Sequence, residues 1–577
     1  MGRLLVLAVL LSGSGLPGAS AAELANRFAP GALGYAETAS LGDIVERFQQ
    51  SNYWTAVTQS PQWKQATASP EFRKALAARD LVERQLGMDL PTAVTRLLGN
   101  RVAVAVYPVL GTQPDFVVLV EAKDDQVLPE IRRRLDPLLV LGEEQLRLSQ
   151  GLDGWEQLSI DNKLFIAWKG RWIVAAGKHE RLEEAVARVS GQSADTLAAE
   201  PNFQAMLRSI GDPRKPGDRP LLVYVDSDRL QKLIGKGGLP EKLDNPLGSL
   251  LFGDAVARAG RSKFAAFTVD LQERGARARL TLGGESAGLA EAFHAFYPKQ
   301  DEHGVEPLPA TKERIGGWTI YRDFAGWYAN RAHLMQDQVL PGFDKFESGL
   351  ANLLPNRDFG EDVLPLFGKR LTFVSAPQTF EHLGGEPGVK LPGFALVIEL
   401  AQPEEATTLL QLFFQTLTAI LNLEAGQQGR QPWVVATEIY RDVPISYAKY
   451  LKKPTGDRLG VVFNFLPAAA RVGDRFVFSS SLGLCKQLID DLQNPAAPAA
   501  DSPRTIQADV RLDPLADVFE ANREFFVGRM VQEGRTTAVA EEEFKTLMGL
   551  LRQLESVQLY TESLPEAYRV ELEGTWK

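Results

Sequence analysis

Cysteine is all but missing from this chain: among 577 residues, only position 485 carries one. No intramolecular disulfide can form, so the fold must hold by packing alone. Histidine is scarce too, at five positions: His179, His294, His303, His333 and His382. No H-E-x-x-H, C-x-x-C or EF-hand spacing accompanies them, so neither a metal centre nor another cofactor is expected. Positive charge is in deficit. Lys and Arg number 63 against 73 Asp and Glu, a formal charge of −10. That balance excludes a nucleic-acid partner, because phosphate binding needs a basic face, and it repels acidic lipid headgroups. No P-loop exists: "GDPRKPGDRP", Gly211 to Pro220, lacks the required spacing. Asp358-Phe359-Gly360 has no Gly-rich or catalytic loop around it and reads as a turn. After residue 21, no run is expected to supply the roughly 20 apolar residues of a transmembrane span.

What is present begins with an export signal. Arg3 is a basic start, Leu4 to Leu11 is apolar, and Ala19-Ser20-Ala21 fits an A-x-A cleavage site. Residues 1–21 are therefore expected to be a signal peptide, cleaved near Ala21, and the mature chain to be periplasmic or secreted. No Cys stands at the cleavage site to carry a lipid. Hydrophobic residues at 45% leave ample material for real cores. Cys485, within "SSSLGLCKQLIDDL", is expected to be one of the buried apolar groups.

One order of blocks is written twice. "LLGNRVAVAVYP", "PDFVVLVEAKDD" and a helical "QVLPEIRRRLDPLLVL" pair with "LFGKRLTFVSAP", "LPGFALVIELAQ" and "PEEATTLLQLFFQTLTAIL". Gly99 and Arg101 match Gly368 and Arg370; Phe116 matches Phe394; Glu121 matches Glu399. The second copy has the longer hairpin loop, "QTFEHLGGEPGVK". "KLFIAWKGRWIVAAG" pairs with "LPAAARVGDRFVFSS", so Arg171 matches Arg475, and a short helix follows each. "PLLVYVDSDRLQKLI" pairs with "TIQADVRLDPLADVF", so Asp228 matches Asp513. "KFAAFTVDLQERGARARLTLGGE" pairs with "LESVQLYTESLPEAYRVELEGTW". A tandem duplication is expected, with repeats at 22–296 and 318–577 and a polar linker at 297–317.

Short strands rich in Val, Phe, Leu and Tyr alternate with turn residues, while helices cluster between them. Ser60-Pro61 and Ser69-Pro70 look like helix N-caps followed by Pro; a helical run from 71 to 98 breaks near Gly87, with Asp89 as a second cap. The expected class is α+β, each half a mainly antiparallel sheet packed against helices.

One stretch carries a catalytic spelling. Gly284-Glu285-Ser286-Ala287-Gly288 fits G-x-S-x-G, the nucleophile elbow of serine hydrolases. An elbow follows a buried parallel strand, but Arg277, Arg279 and Thr281 alternate with Ala278, Leu280 and Leu282, the mark of a strand with one wet face. A hairpin turn at Gln272 to Gly275 makes its neighbour antiparallel. No His is tied to a triad and no oxyanion loop precedes the motif. Ser286 is read instead as the cap of a helix from Ala287 to Phe296. Aromatic residues group at Tyr53, Trp54 and Trp63 and again at Trp318, Tyr321, Trp327 and Tyr328, either as helix-on-sheet packing or as a binding surface.

The strand near "GALGYAET", the Ser-Pro helix starts, "LLGNRVAVAVYP" and "FVVLVEAKD" together resemble uncharacterised secreted proteins of planctomycete-type bacteria, grouped as domains of unknown function. The resemblance implies an envelope location and a repeated α+β domain, and it implies no site residues. The expected function is non-enzymatic binding or scaffolding in the envelope, with an unknown envelope protein or small ligand as partner. A groove or cleft would serve as the ligand site. The alternative is an esterase-like serine hydrolase using Ser286.

Overall fold

The computed structural model describes residues 23–577 apart from 40, 51, 60–62, 64–66, 110–113, 142–145, 192–194, 212–218, 236–241, 286–288, 300–301, 351–356, 453, 455 and 495–502. The expected signal peptide therefore lies outside the described residues, as do Ser60-Pro61 and most of the stretches 211–220 and 493–504. The chain forms two compact units. One is Met1–Gly238 with Arg261–Glu285 and Glu566–Lys577; the other is Leu239–Gly260 with Ser286–Pro565.

The first unit contains β1 (Gly34–Ala39), β2 (Arg101–Val106), β3 (Phe116–Glu121), β4 (Leu146–Gln150) and β5 (Glu156–Ile160). It continues with β6 (Leu164–Lys169), β7 (Trp172–Ala176), β8 (Leu221–Val225), β9 (Phe264–Gln272) and β10 (Gly275–Gly283). The second unit contains β11 (Gly316–Tyr321), β12 (Phe367–Ala376), β13 (Glu386–Pro387), β14 (Gly393–Leu400), β15 (Trp433–Tyr440) and β16 (Val443–Tyr450). Then come β17 (Arg458–Leu459), β18 (Ala468–Val472), β19 (Arg475–Ser479), β20 (Arg504–Arg511) and β21 (Leu554–Ser563). The last strand, β22 (Ala567–Trp576), belongs to the first unit.

Apart from the short parallel pair β13–β17, the pairings are antiparallel. In the first unit the neighbours run β22-β10-β9-β8-β1-β2-β3-β7-β6-β5-β4. In the second they run β21-β20-β11-β12-β14-β19-β18-β16-β15. From β9 to β4 and from β21 to β15 the two orders correspond strand for strand. The class is α+β, with mixed helix and antiparallel sheet.

Local sequence explains many of the boundaries. The Ser69 hydroxyl accepts from the Phe72 N–H at 3.2 Å ahead of helix Pro70–Leu86, which ends at Gly87 with φ 63°. Asp89 accepts from Thr92 N–H at 2.8 Å and starts helix Leu90–Leu98. Arg441 and Asp442 take φ of 49° and 63°, the two-residue turn that joins β15 to β16. On β10 and β22, Arg277 faces Glu573 at 2.9 Å and Arg279 faces Glu571 at 2.7 Å, cross-strand pairs that hold the register.

The units depart from the boundaries read in the sequence. Helix Pro246–Ala259, from the first half of the chain, packs in the second unit. There the fully buried Arg322 donates to the carbonyls of Leu250 at 2.6 Å, Leu251 at 2.8 Å and Phe296 at 3.1 Å. A buried guanidinium needs such acceptors, which fixes the helix to this unit. In the part of 297–317 that is described, Val305, Leu308, Ile315 and Arg314 are buried, and Arg314 pairs with Asp509.

Each sheet is covered by helices. Helix His179–Val189 buries Leu182, Ala185 and Val186 in the main core of the first unit. Its counterpart by order, helix Leu482–Gln493, buries Leu484, Cys485, Leu488 and Ile489 against Val374, Ala395 and Val477. At about 1.5–3 kcal/mol per large apolar side chain, that face alone anchors the helix. Cys485 is thus the buried hydrophobe expected, its thiol pushed up to about 12 by burial.

Candidate interaction surface

Ser286, Ala287 and Gly288 lie outside the described residues, so the geometry concerns what surrounds them. The preceding strand, β10, has antiparallel neighbours on both sides, β9 and β22. A nucleophile elbow sits at the end of a parallel strand, and β10 is not one. Gly283 closes β10 against the Phe264 ring, where a Cβ would come within 2.1 Å of a ring carbon. The helix expected from Ala287 starts later, at Glu291–Phe296, as a 3-10 turn with Ala290 at its N-cap. Among the histidines, His179 lies beside Phe165 with ring centroids 5.4 Å apart, and His294 lies beside Tyr297 at 5.7 Å. His333 is in the short helix Arg331–Leu334 and His382 is exposed. Among the described residues no group of His, Cys, Asp and Glu could hold a metal.

Residues matched along the sequence meet in comparable places of the two sheets. In the first unit Glu121 lies 3.0 Å from Arg171 and 3.9 Å from Arg101, and Arg101 is 2.5 Å from Glu23. In the second, Glu399 lies 2.7 Å from Arg370 and 3.4 Å from Arg475, and Arg475 is 2.6 Å from Glu306. Glu399 also accepts from the N–H groups of Lys369 and Arg370, at 2.9 and 3.0 Å. Gly368 permits this, because a Cβ there would lie 2.3 Å from the Glu399 side chain. Burial works against the Arg475 charge, yet Glu306 and Glu399 hold its guanidinium above the ordinary value. These clusters brace strand ends. Their carboxylates are consumed by cations, which leaves no free acid or base.

The aromatic residues divide. Trp54 and Trp63 pack edge to face at 5.3 Å, and Trp63 on Phe72 at 6.2 Å. Trp327 and Tyr328 are buried with Phe343, at 6.0 and 5.5 Å. Trp318 instead stacks on Phe373 at 5.7 Å and begins a row across the sheet. Cross-strand partners run Trp318, Phe373, Leu396, Phe478, Ala469, Ser446 and Thr437, so these residues share one face.

That face is partly covered by helix Pro403–Gln427, whose Leu409, Leu410 and Phe414 join Ala469 and Phe476 in a core cluster. No charged residue lies between Glu405 and Glu424. The helix is long and apolar enough to cross a membrane by length and composition, which the sequence reading did not anticipate, and 28% of its most apolar window is buried. It exposes Leu412, Leu417, Ile420, Leu421 and Leu423, the last at 68%. Beside it, β15 exposes Val435 and Ile439, the latter at 76%. Thr437 is exposed between them. Asn422 ties helix to strand: it accepts from the Trp433 N–H and donates to the Trp433 carbonyl, both at 2.7 Å. The uncharged stretch was the available signal; its exposure was not visible without the sheet.

Among the described residues three cavities also belong to the second unit, one of them of about 510 Å³ and lined by Glu306, Leu308, Arg370, Arg475 and Asp491. Another, of about 560 Å³, is lined by Phe380, Leu383, Pro514 and Val518, with Glu313, Glu381 and Asp517 around it. The third, of about 280 Å³, lies at the C-terminal end of the long helix, between Leu421, Trp433, Tyr450 and Phe465.

No protein-family model matches the chain, and no curated protein does. Among solved structures, crystal form III of TP0453 aligns at 10% identity and a TM-score of 0.25, over 48% of this chain and 84% of that one. Crystal form IV aligns at 10% and 0.24, over 45% and 79%; crystal form I at 9% and 0.24, over 49% and 84%. Likeness at that level carries no argument.

Proposed function

We propose that this chain is an exported envelope protein that works by binding, through the apolar face of helix Pro403–Gln427 and β15, and has no reaction centre of its own. One observation carries the reading: leucine and isoleucine side chains stand exposed along a helix surface without a charged residue. Export rests on the basic start, apolar core and A-x-A site of residues 1–21. A tandem duplication is inferred for the architecture. It is supported by the strand-for-strand order of the two sheets and by the paired clusters Arg101–Glu121–Arg171 and Arg370–Glu399–Arg475.

The test is titration with Nile red, a neutral apolar dye, of the processed protein and of Leu412→Lys/Ile420→Lys. The native protein is expected to enhance the dye several-fold, and the double variant to lose most of that with its circular dichroism unchanged. A native protein that leaves the dye dark sinks the reading. For the serine-hydrolase alternative, a fluorophosphonate probe is expected to leave the native protein unlabelled. Labelling that disappears in Ser286→Ala would make it an enzyme.

A further inference from the structure

We infer that a second copy of this chain covers this surface, its β15 pairing antiparallel with β15 of the first about a two-fold axis at Thr437. The inference rests on the binding reading above and names its partner.

The argument starts from the edge of the sheet. Among the described residues β15 pairs only with β16, and the turn at Arg441-Asp442 fixes which of its backbone groups point inward. The residues closing a two-residue hairpin exchange hydrogen bonds, so Tyr440 and alternate residues before it bond to β16. Trp433, Val435, Thr437 and Ile439 therefore turn their N–H and C=O groups away. Asn422 takes both groups of Trp433, at 2.7 Å each, which agrees with that alternation. The backbone groups of Val435, Thr437 and Ile439 have no hydrogen-bond partner among the described residues.

Those groups decide between occupants. A lipid bilayer suits the long helix by composition, but an open sheet edge is not accommodated in hydrocarbon, where nothing bonds its N–H and C=O. Another strand satisfies them. With the axis at Thr437, Val435 of each copy faces Ile439 of the other and Thr437 faces Thr437. Every free N–H then meets a free C=O, and no other register uses them all. This self-match is what a second copy offers and an arbitrary peptide does not.

The side chains agree. Thr437 shares its sheet face with Ala469, the face under helix Pro403–Gln427. Pairing at the edge places the exposed Val435 and Ile439 of both copies in one row, with the two long helices on the same side. Charge does not oppose it, although the whole chain carries −10. The one charged residue of β15, Glu438, is on the opposite face and is held by Lys486 at 2.6 Å. The edge strand of the first unit, β4, is five residues long and carries Arg147. Short charged edges discourage pairing; β15 is eight residues long, and its one charge, Glu438, is turned to the far face and paired with Lys486.

The experiment is sedimentation equilibrium of the processed full chain beside Thr437→Pro and Ile439→Lys. Pro at 437 removes an N–H that the β16 ladder does not use, so the monomer keeps its sheet while the central pair is broken. A native mass of twice the chain that falls to one chain in both variants, with circular dichroism unchanged, is the expected result. If Thr437→Pro does not fold, Ile439→Lys decides. A monomeric native protein overturns the inference, as does a dimer that survives both substitutions. A monomer that enhances Nile red and floats with phosphatidylcholine vesicles gives the surface to lipid and leaves the binding reading standing. A monomer that does neither removes both.

Discussion

Helices Val127–Leu141 and Pro403–Gln427 occupy the same step of the two strand orders, one between β3 and β4, the other between β14 and β15. The first carries Glu130, Arg132, Arg133, Arg134 and Asp136. Arg133 and Arg134 are exposed, Arg132 meets Glu156 at 3.3 Å, and Glu130 meets Arg96 at 2.7 Å. The second is ten residues longer and uncharged from Ala406 to Leu423. Both cover a sheet. The charged helix demonstrates that covering a sheet does not require an apolar outer face, so the exposed leucines of the longer one are not a demand of the fold. Their exposure is the feature on which the proposed binding role rests.

The comparison is broken most strongly at the paired ion clusters. Glu399 accepts from two backbone N–H groups and two guanidinium groups, whereas Glu121 serves Arg171, which is 44% exposed, and a distant Arg101. Glu399→Ala is expected to cost about 3 kcal/mol, because it strands cations and N–H groups away from water. Glu121→Ala is expected to cost about 1 kcal/mol, since water replaces much of what it gives. Urea unfolding of both variants measures the difference; equal costs would show that the clusters are not differently loaded.

Acid sharpens it next. Burial opposes the charge of Glu302, but Lys369 and the Tyr321 hydroxyl hold its carboxyl at about 2, below the ordinary 4.5. A carboxyl lowered by folding stabilises above its unfolded value and loses that contribution as pH falls from about 4.5 toward about 2. Glu302→Gln is expected to flatten the stability of the second unit across that window, read as the slope of the unfolding midpoint against pH. An unchanged slope would remove Glu302 from the account.

The smallest effect is expected where the two helices differ most. Leu417→Arg, which makes the long helix more like its counterpart, is expected to move stability by less than about 0.5 kcal/mol, because the side chain is already 38% exposed. A loss of several kcal/mol in a thermal melt would mean that the leucine serves the fold after all.

Strands, helix caps and the block order were legible because each is a local pattern: alternation along β10, Ser69 before Pro70, Asp89 before Leu90. Arg101, Glu121 and Arg171 were already matched with Arg370, Glu399 and Arg475 along the sequence, but nothing local states that three such residues touch. The boundary of the units was misread for a related reason. Helix Pro246–Ala259 and strand β22 are assigned by partners hundreds of residues away, Ser563 for Arg258 at 2.6 Å and Arg277 for Glu573 at 2.9 Å.

By itself, then, the sequence determined the class, the order of elements, the lack of disulfides and the uncharged character of residues 406–423. Which face of that helix stays uncovered, which backbone groups of β15 remain unpaired, and which unit owns the last strand were decided by tertiary structure. Periodicity and capping act over a few residues and are written locally, whereas burial and edge exposure depend on what the rest of the chain brings alongside.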